Sequence, residues 1–291
     1  MAGFFSELKI HFKHGNALKR FIIANAVVFV VVGLFSVVNR LFLGTIDLSF
    51  YFSLPSQPIE LMYRPWTLIS YMFLHTEFFH ILFNMLWLYW FGGLFLQLFT
   101  EKQLVALYFL GGLAGALMFL VVYNTLPFFA NQAGLLQGAS ASIMAIVIAT
   151  AFRIPDFSVQ LFLIGSVKLK YIAAATILID LLSMTSANSG GHFAHLGGAL
   201  LGYFFFLSYK RGRDLTKGFN NVMDALVLLF KPKSKVRMKV KYHRAETDQE
   251  YRNRRSNDNK KLDEVLDKLK KSGYESLTTE EKKFLFDASK K

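Results

Sequence analysis

Cysteine is absent from the chain. That excludes disulfides, thiolate metal sites and a cysteine nucleophile, so covalent chemistry here falls to an oxygen or nitrogen nucleophile. Charge is scarce as well: 18% of the residues are Asp, Glu, Lys or Arg against 53% hydrophobic, and the mean hydropathy is +0.35. This balance excludes an ordinary soluble domain of 291 residues and indicates a membrane protein. Acidic residues are the scarcer sign, 20 against 33 basic. The excess is lopsided, because residues 210–291 hold 23 Lys plus Arg against 13 Asp plus Glu and so supply +10 of the net +13.

Six stretches, near 20–40, 78–99, 103–124, 135–152, 167–185 and 190–209, are apolar over roughly 17 to 23 residues, enough to cross a hydrocarbon core as helices. The first lacks a small-residue cleavage site and reads as a retained span. Lys and Arg cluster before the first span (Lys9, Lys13, Lys19, Arg20), after the second (Lys102), between the fourth and fifth (Arg153, Lys168, Lys170) and after the sixth. The connections near 125–134 and 186–190 carry no charge. This distribution predicts both termini on the cytoplasmic side, with a bacterial inner membrane as the expected location. Arg40 and Arg64, between the first two spans, run against the pattern and are too few to reverse it.

The expected organisation is a cytoplasmic segment at 1–19, a membrane core at 20–209, a basic juxtamembrane segment and linker at 210–260, and a small helical hairpin at 261–291. The fold class is all-α. Residues 218–230 are too short to span and suit an amphipathic helix on the lipid surface, where the basic bias also favours anionic lipids. In the hairpin, Leu262, Val265, Leu266 and Leu269 recur at helical spacing, and Thr278 with Glu281 forms a capping box. A juxtamembrane charge run is a lipid-facing surface more often than a nucleic-acid site, so no nucleic acid is expected as a partner.

Chemistry concentrates at one depth. With six spans and both ends inside, the second, fourth and sixth enter from the outer side. Ser140 and His195 then each lie about five residues in, roughly 8 Å below the surface. His80 and Asn84, spaced i, i+4 at the start of the second span, overlap that level. Two ridges of small residues, Gly134, Gly138 and Ser142 on the fourth span and Ala194, Gly198 and Gly202 on the sixth, allow two backbones to approach. A hydroxyl beside an imidazole is the minimum set for acyl transfer, with His195 taking the proton of Ser140 and returning it to a leaving amine. Asp180, near the same level, has two readings: an orienting group for His195, or an aspartate bonded to a hydroxyl or water, of which the second is preferred. His192 with His195, and His75 with His80, lack a third ligand at firm spacing, so no metal is expected. Gly-Ala-Ser-Ala-Ser lacks the closing glycine of a nucleophile elbow and no strand precedes it, which excludes the soluble hydrolase fold.

Taken in order, "HTEFFHILFN", "GASAS" and "GHFAHLGGALLG" make residues 15–210 resemble the rhomboid intramembrane serine proteases. The resemblance implies a six-helix bundle with Ser140 as nucleophile and His195 as base, a dyad that requires no acid. It implies His80 and Asn84 as oxyanion donors beside the backbone N–H of Ser140, with Gly138 in the substrate-binding set, and no cofactor. The expected partners are transmembrane protein substrates, cleaved near the outer boundary, and membrane lipids. A helical substrate must unwind there, which favours Gly or Pro near the cut. Two departures stand out. The family's Trp-Arg before the second helix is Trp66-Thr67 here, and its glutamate after the paired glycines is missing from Leu94–Gln97, so the loop between the first two helices lacks its usual charged anchor. Met144 stands where an aromatic often packs on the histidine.

Water must reach the serine, which predicts a polar cavity bordered by His75, His80, Asn84 and Gln137. A non-catalytic scaffold on the same fold is the rival reading, but it is expected to lose the serine or histidine, and both are present. A proton-relay transporter finds no discontinuous helix or inverted repeat to support it.

Overall fold

In a computed structural model, residues 15–42, 44–161, 165–186, 188–230 and 246–289 are described. They fall into two compact units, Met1–Lys231 and Pro232–Lys291. In the first, α1 (Ala17–Leu41) is opened by Asn16, whose side chain accepts the Lys19 N–H. α5 (Phe78–Leu98) follows three short helices, α2 (Leu48–Phe52), α3 (Pro58–Tyr63) and α4 (Thr67–Ser70). α6 (Glu101–Thr125) starts at a capping box between Thr100 and Gln103. Then come α7 (Ser140–Arg153), α8 (Leu169–Leu182), α9 (Ser189–Lys210) and α10 (Lys217–Phe230).

Among the described residues, α1, α5 and α6 are long and apolar enough to cross a membrane. Helix α1 shows the outward face this requires, with Val27, Val30, Val31, Leu34, Val37 and Val38 all exposed. α9 has 22 residues, but its glycines and histidines dilute its apolarity. α7 and α8 have 14 residues each, about 21 Å of helix against a hydrocarbon core of about 30 Å. Both begin later than the apolar runs that contain them. Residues 135–139 are extended and irregular instead of helical, and 165–168 form a strand. The expectation of a purely helical fold is corrected to this extent. β1 (Leu54–Pro55) pairs antiparallel with β2 (Leu135–Leu136), and β3 (Ser158–Leu161) with β4 (Gly165–Lys168).

The core is built around α7, in which every residue from Ala141 to Ala151 is buried. A helix apolar on all sides belongs inside, and small residues let its neighbours close on it. A Cβ on Gly115 of α6 would come within 2.5 Å of the Ala141 Cβ, and one on Gly198 of α9 within 2.0 Å of the Ala141 carbonyl oxygen. Gly202 meets the Ala145 carbonyl in the same way, at 2.3 Å. The ridge of α7 that receives α9 is therefore Ala141 and Ala145. Gly134 and Gly138 precede the helix, and Ser142 faces Gly112 of α6, where its hydroxyl has no hydrogen-bond partner.

The connection between α1 and α5 is anchored by a charged pair of its own. Buried Arg64 donates to the Glu60 carboxylate and the Phe50 carbonyl, and its guanidinium lies over the Phe50 ring, 4.1 Å from the centroid. Trp66 Nε1 donates to the Tyr51 carbonyl at 3.0 Å and Ser70 Oγ to that of Phe52 at 2.8 Å. Arg64, an exception to the charge pattern, is thus a structural cation. α10 rests on α6 through a Phe219–Phe109 stack and a Lys102–Asp224 ion pair, and exposes Val222, Leu226 and Leu229.

In the second unit, α11 (Asp248–Ser272) and α12 (Thr279–Ala288) each open with a capping box, Thr247 with Glu250 and Thr278 with Glu281. Gly273, at φ 77°, ends α11, and Lys268 pairs with Glu281 at 2.9 Å. α11 begins 13 residues before the boundary expected at 261, because the capping box of Thr247 with Glu250 and the acidic first turn, Asp248 and Glu250, favour a helix start there. Residues 231–245 of the expected linker lie outside the described residues.

Candidate active site

Ser140 is the first residue of α7, not the fifth or sixth of a longer helix. The chain arrives in extended form through β2 and turns at Gly138, whose φ of 108° suits glycine. There is no room for a side chain either: a Cβ at Gly138 would sit 2.7 Å from His80 Cε1. The approach is tied down on several sides. The Gly138 N–H donates to the Tyr71 carbonyl at 2.9 Å, and the Ala139 N–H to His75 Nε2 at 3.4 Å. The Ser56 N–H donates to the Gly134 carbonyl, and the Gly134 N–H to Ser56 Oγ, both at 2.9 Å. Starting the helix at the serine leaves first-turn N–H groups without intrahelical acceptors, with the positive end of the helix dipole beside Oγ.

His195 is the seventh residue of α9, brought against α7 by the glycine contacts described above. Its Nε2 lies 2.7 Å from Ser140 Oγ. Its Nδ1 lies 2.8 Å from Asp180 Oδ1 on α8, and the same oxygen is 2.8 Å from His192 Nδ1. Asp180 therefore bonds two imidazoles, not the hydroxyl or water preferred from sequence. The carboxylate that sequence spacing does not reveal beside His192 and His195 is this one. Asp180, His192 and His195 each offer a ligand-type atom, all within 4.8 Å of one another, and both Nδ1 atoms are hydrogen-bonded to Asp180 Oδ1.

Ser140, His195, His192 and Asp180 line one wall of a cavity of about 780 Å³, with His80, Asn84 and Gln137 also on its lining. Asn84 is buried, and its Nδ2 donates to the His80 carbonyl one turn back at 3.0 Å, which leaves the amide a second N–H. His80 is half-buried, with its ring 4.9 Å from that of His75. Met144 and Trp87 supply apolar lining.

His75 does not line this cavity. It is buried, holding the Ala139 N–H, and it borders a second cavity of about 650 Å³ shared with α1. Burial, and secondarily the neighbouring His80, push its pKa down to about 4, which keeps Nε2 free to accept. The two cavities share Thr76 and Gln137, whose side chains bond each other at 3.0 Å. The Thr76–Gln137 bond and the His75 support have no periodic signature, and sequence reasoning missed both roles. The His192–His195 spacing of i, i+3 puts both rings on one face of α9 and is the one sequence signal that could have suggested a shared partner.

Residues 63–211 match the Rhomboid domain family, and residues 245–291 match a family of unknown function. The chain is 29% identical over 158 residues to RHOMBOID-like protein 12, mitochondrial, of Arabidopsis thaliana. That match covers 50% of this chain and 47% of the relative, so the chain spans about half the length of the curated relative it matches.

Proposed function

The chain belongs to the rhomboid family, and from that premise we propose that it is an intramembrane serine endopeptidase acting through Ser140 and His195. The observation that carries this reading is the 2.7 Å contact between Ser140 Oγ and His195 Nε2 at the start of a helix, on the wall of a cavity. His195 takes the hydroxyl proton as Oγ attacks the scissile carbonyl, then delivers it to the leaving amine. Water, entering by the same cavity, releases the acyl group by the reverse proton path. The oxyanion develops at the start of α7, within reach of the Ser140 N–H, His80 and Asn84. Each such donor is worth about 10²- to 10³-fold in rate.

The substrate class that fits is a membrane-spanning protein segment, since the site opens between helices of a membrane protein and a helical peptide must unwind to offer a free carbonyl. The membrane core is read as six spans, with α7 and α8 too short to cross alone and extended by the 135–139 and 165–168 segments. The Lys and Arg distribution supports both termini on the cytoplasmic side of the membrane. Exposed apolar residues on α10 support contact with lipid.

The test is labelling of the purified protein in detergent with a fluorescent fluorophosphonate, alongside cleavage of a single-span substrate. Wild type labels and cleaves, whereas Ser140→Ala and His195→Ala do neither while remaining folded. Turnover that survives in both variants rejects the dyad. A folded wild type that binds transmembrane helices without labelling or cutting them moves the protein to a scaffold role.

A further inference from the structure

One ionisable side chain at the site has no part in the hydrolysis just described. Asp180 sits two residues from the end of α8 with its side chain 6% exposed. A buried carboxylate is costly unless donors surround it. Asp180 Oδ1 has two, the Nδ1 atoms of His195 and His192, each at 2.8 Å. Resting on the protease reading, we propose that Asp180 is a positioning residue for His195, completing an Asp180–His195–Ser140 triad in which His192 holds the carboxylate in place.

The tautomer carries the argument. A neutral imidazole has one N–H, and a carboxylate only accepts. With Nδ1 2.8 Å from Asp180 Oδ1, the proton of His195 belongs on Nδ1, which leaves the Nε2 lone pair facing the Ser140 hydroxyl. The other tautomer sets two lone pairs against each other at Asp180 and presents an N–H to Ser140, and that form takes no proton from the serine. The ring is also fixed at both nitrogens, each bond reaching a different helix. When the Ser140 O–H breaks, a bond forms from Oγ to the carbonyl carbon and the proton moves to Nε2. The resulting imidazolium is met by the opposite charge of a carboxylate that is itself buried. Asp180 takes no proton, since Nε2 passes it on to the leaving nitrogen. His192, one turn before His195 on the same face of α9, donates the second N–H and keeps the carboxylate from swinging into the cavity.

Asp180→Asn is nearly isosteric and reverses the hydrogen-bond polarity, because its amide N–H favours the proton on Nε2. In the full-length protein, kcat for a transmembrane substrate is expected to fall about 10²- to 10⁴-fold, with KM changed less than about threefold. Fluorophosphonate labelling slows in parallel. Asp180→Glu, which keeps the acceptor, recovers at least about a tenth of the wild-type rate. ¹⁵N-histidine NMR in detergent reads the tautomer without reference to turnover: protonated Nδ1 at His195 in wild type, protonated Nε2 in Asp180→Asn. If kcat in Asp180→Asn stays within about threefold of wild type while Ser140→Ala is inactive, the triad is wrong and the protease reading stands. A loss of activity that only tracks unfolding, with His195 still protonated on Nδ1, also overturns it. A folded wild type that neither cleaves nor labels removes the protease reading and the triad together.

Discussion

Replacing Gly198 with alanine tests whether the small-residue contact between α7 and α9 sets the catalytic geometry. The new Cβ would lie 2.0 Å from the Ala141 carbonyl oxygen, whereas ordinary contact begins at 3.4 Å. The obstacle is backbone in the buried stretch of α7, so no rotamer change relieves it, and α9 must retreat by about 1.4 Å. Gly198 is three residues from His195, and Ala141 follows Ser140, so that displacement falls on the 2.7 Å Oγ–Nε2 contact. Opening it to about 4 Å breaks the hydrogen bond. A misplacement of about 1 Å at reacting groups costs on the order of 10² in rate, and overpacking of this kind costs about 1–3 kcal/mol of stability. The assay is the rate of fluorophosphonate labelling in detergent, with the thermal midpoint recorded on the same samples. Gly93→Ala on α5 is the matched control, because a Cβ there has nothing within 4 Å, and it should change neither quantity by more than the small gain in helix propensity. Wild-type labelling and an unchanged midpoint in Gly198→Ala would refute the argument.

Three further outcomes follow from the same geometry. Gly138→Ala forces a side chain onto a backbone at φ 108° and into the His80 ring, so it should lose about 1–3 kcal/mol of stability and nearly all cleavage, read by thermal melts and gel assay. His75 titrates near 4 when folded and near 6.5 when unfolded, so between those values the unfolded chain binds more protons. Its contribution is therefore complete above about pH 6.5 and declines as the pH falls toward 4; melts across that window should show the decline, and His75→Gln should flatten it. Removing residues 231–291 should leave cleavage within about twofold of the full chain, since the site and its supports lie wholly within the first unit; loss of activity in a folded truncation would implicate the C-terminal unit in catalysis.

Helices α1, α5 and α6 are legible because each carries a long, strongly apolar run of 18 residues or more. The start of α7 is not. Leu135, Leu136 and Ala139 carry the apolar run back ahead of the helix, and hydropathy does not separate an extended apolar segment from helix. The meaning of Asp180 is hidden for a different reason. Its partners sit on another helix, and the relative rotation of two packed helices is a property of their contact, which no local periodicity carries. Arg64 illustrates the opposite failure: charge counting treats it as a topology signal, while the chain uses it to clamp Glu60 and Phe50.

The strap of hydrogen bonds ahead of Ser140 makes chain length, more than chain composition, the sensitive variable on this side of the protein. Residues 54–56, 71 and 75 grip the run from 134 to 139 at fixed register, so one inserted residue between Ser56 and His75 transmits directly to the nucleophile. Among the described residues, the hairpin strands β3 and β4 make no such connection to the serine. A reporter or affinity handle belongs in that hairpin, and a scan of single-residue insertions would trace the outline of the strap as a band of lost activity.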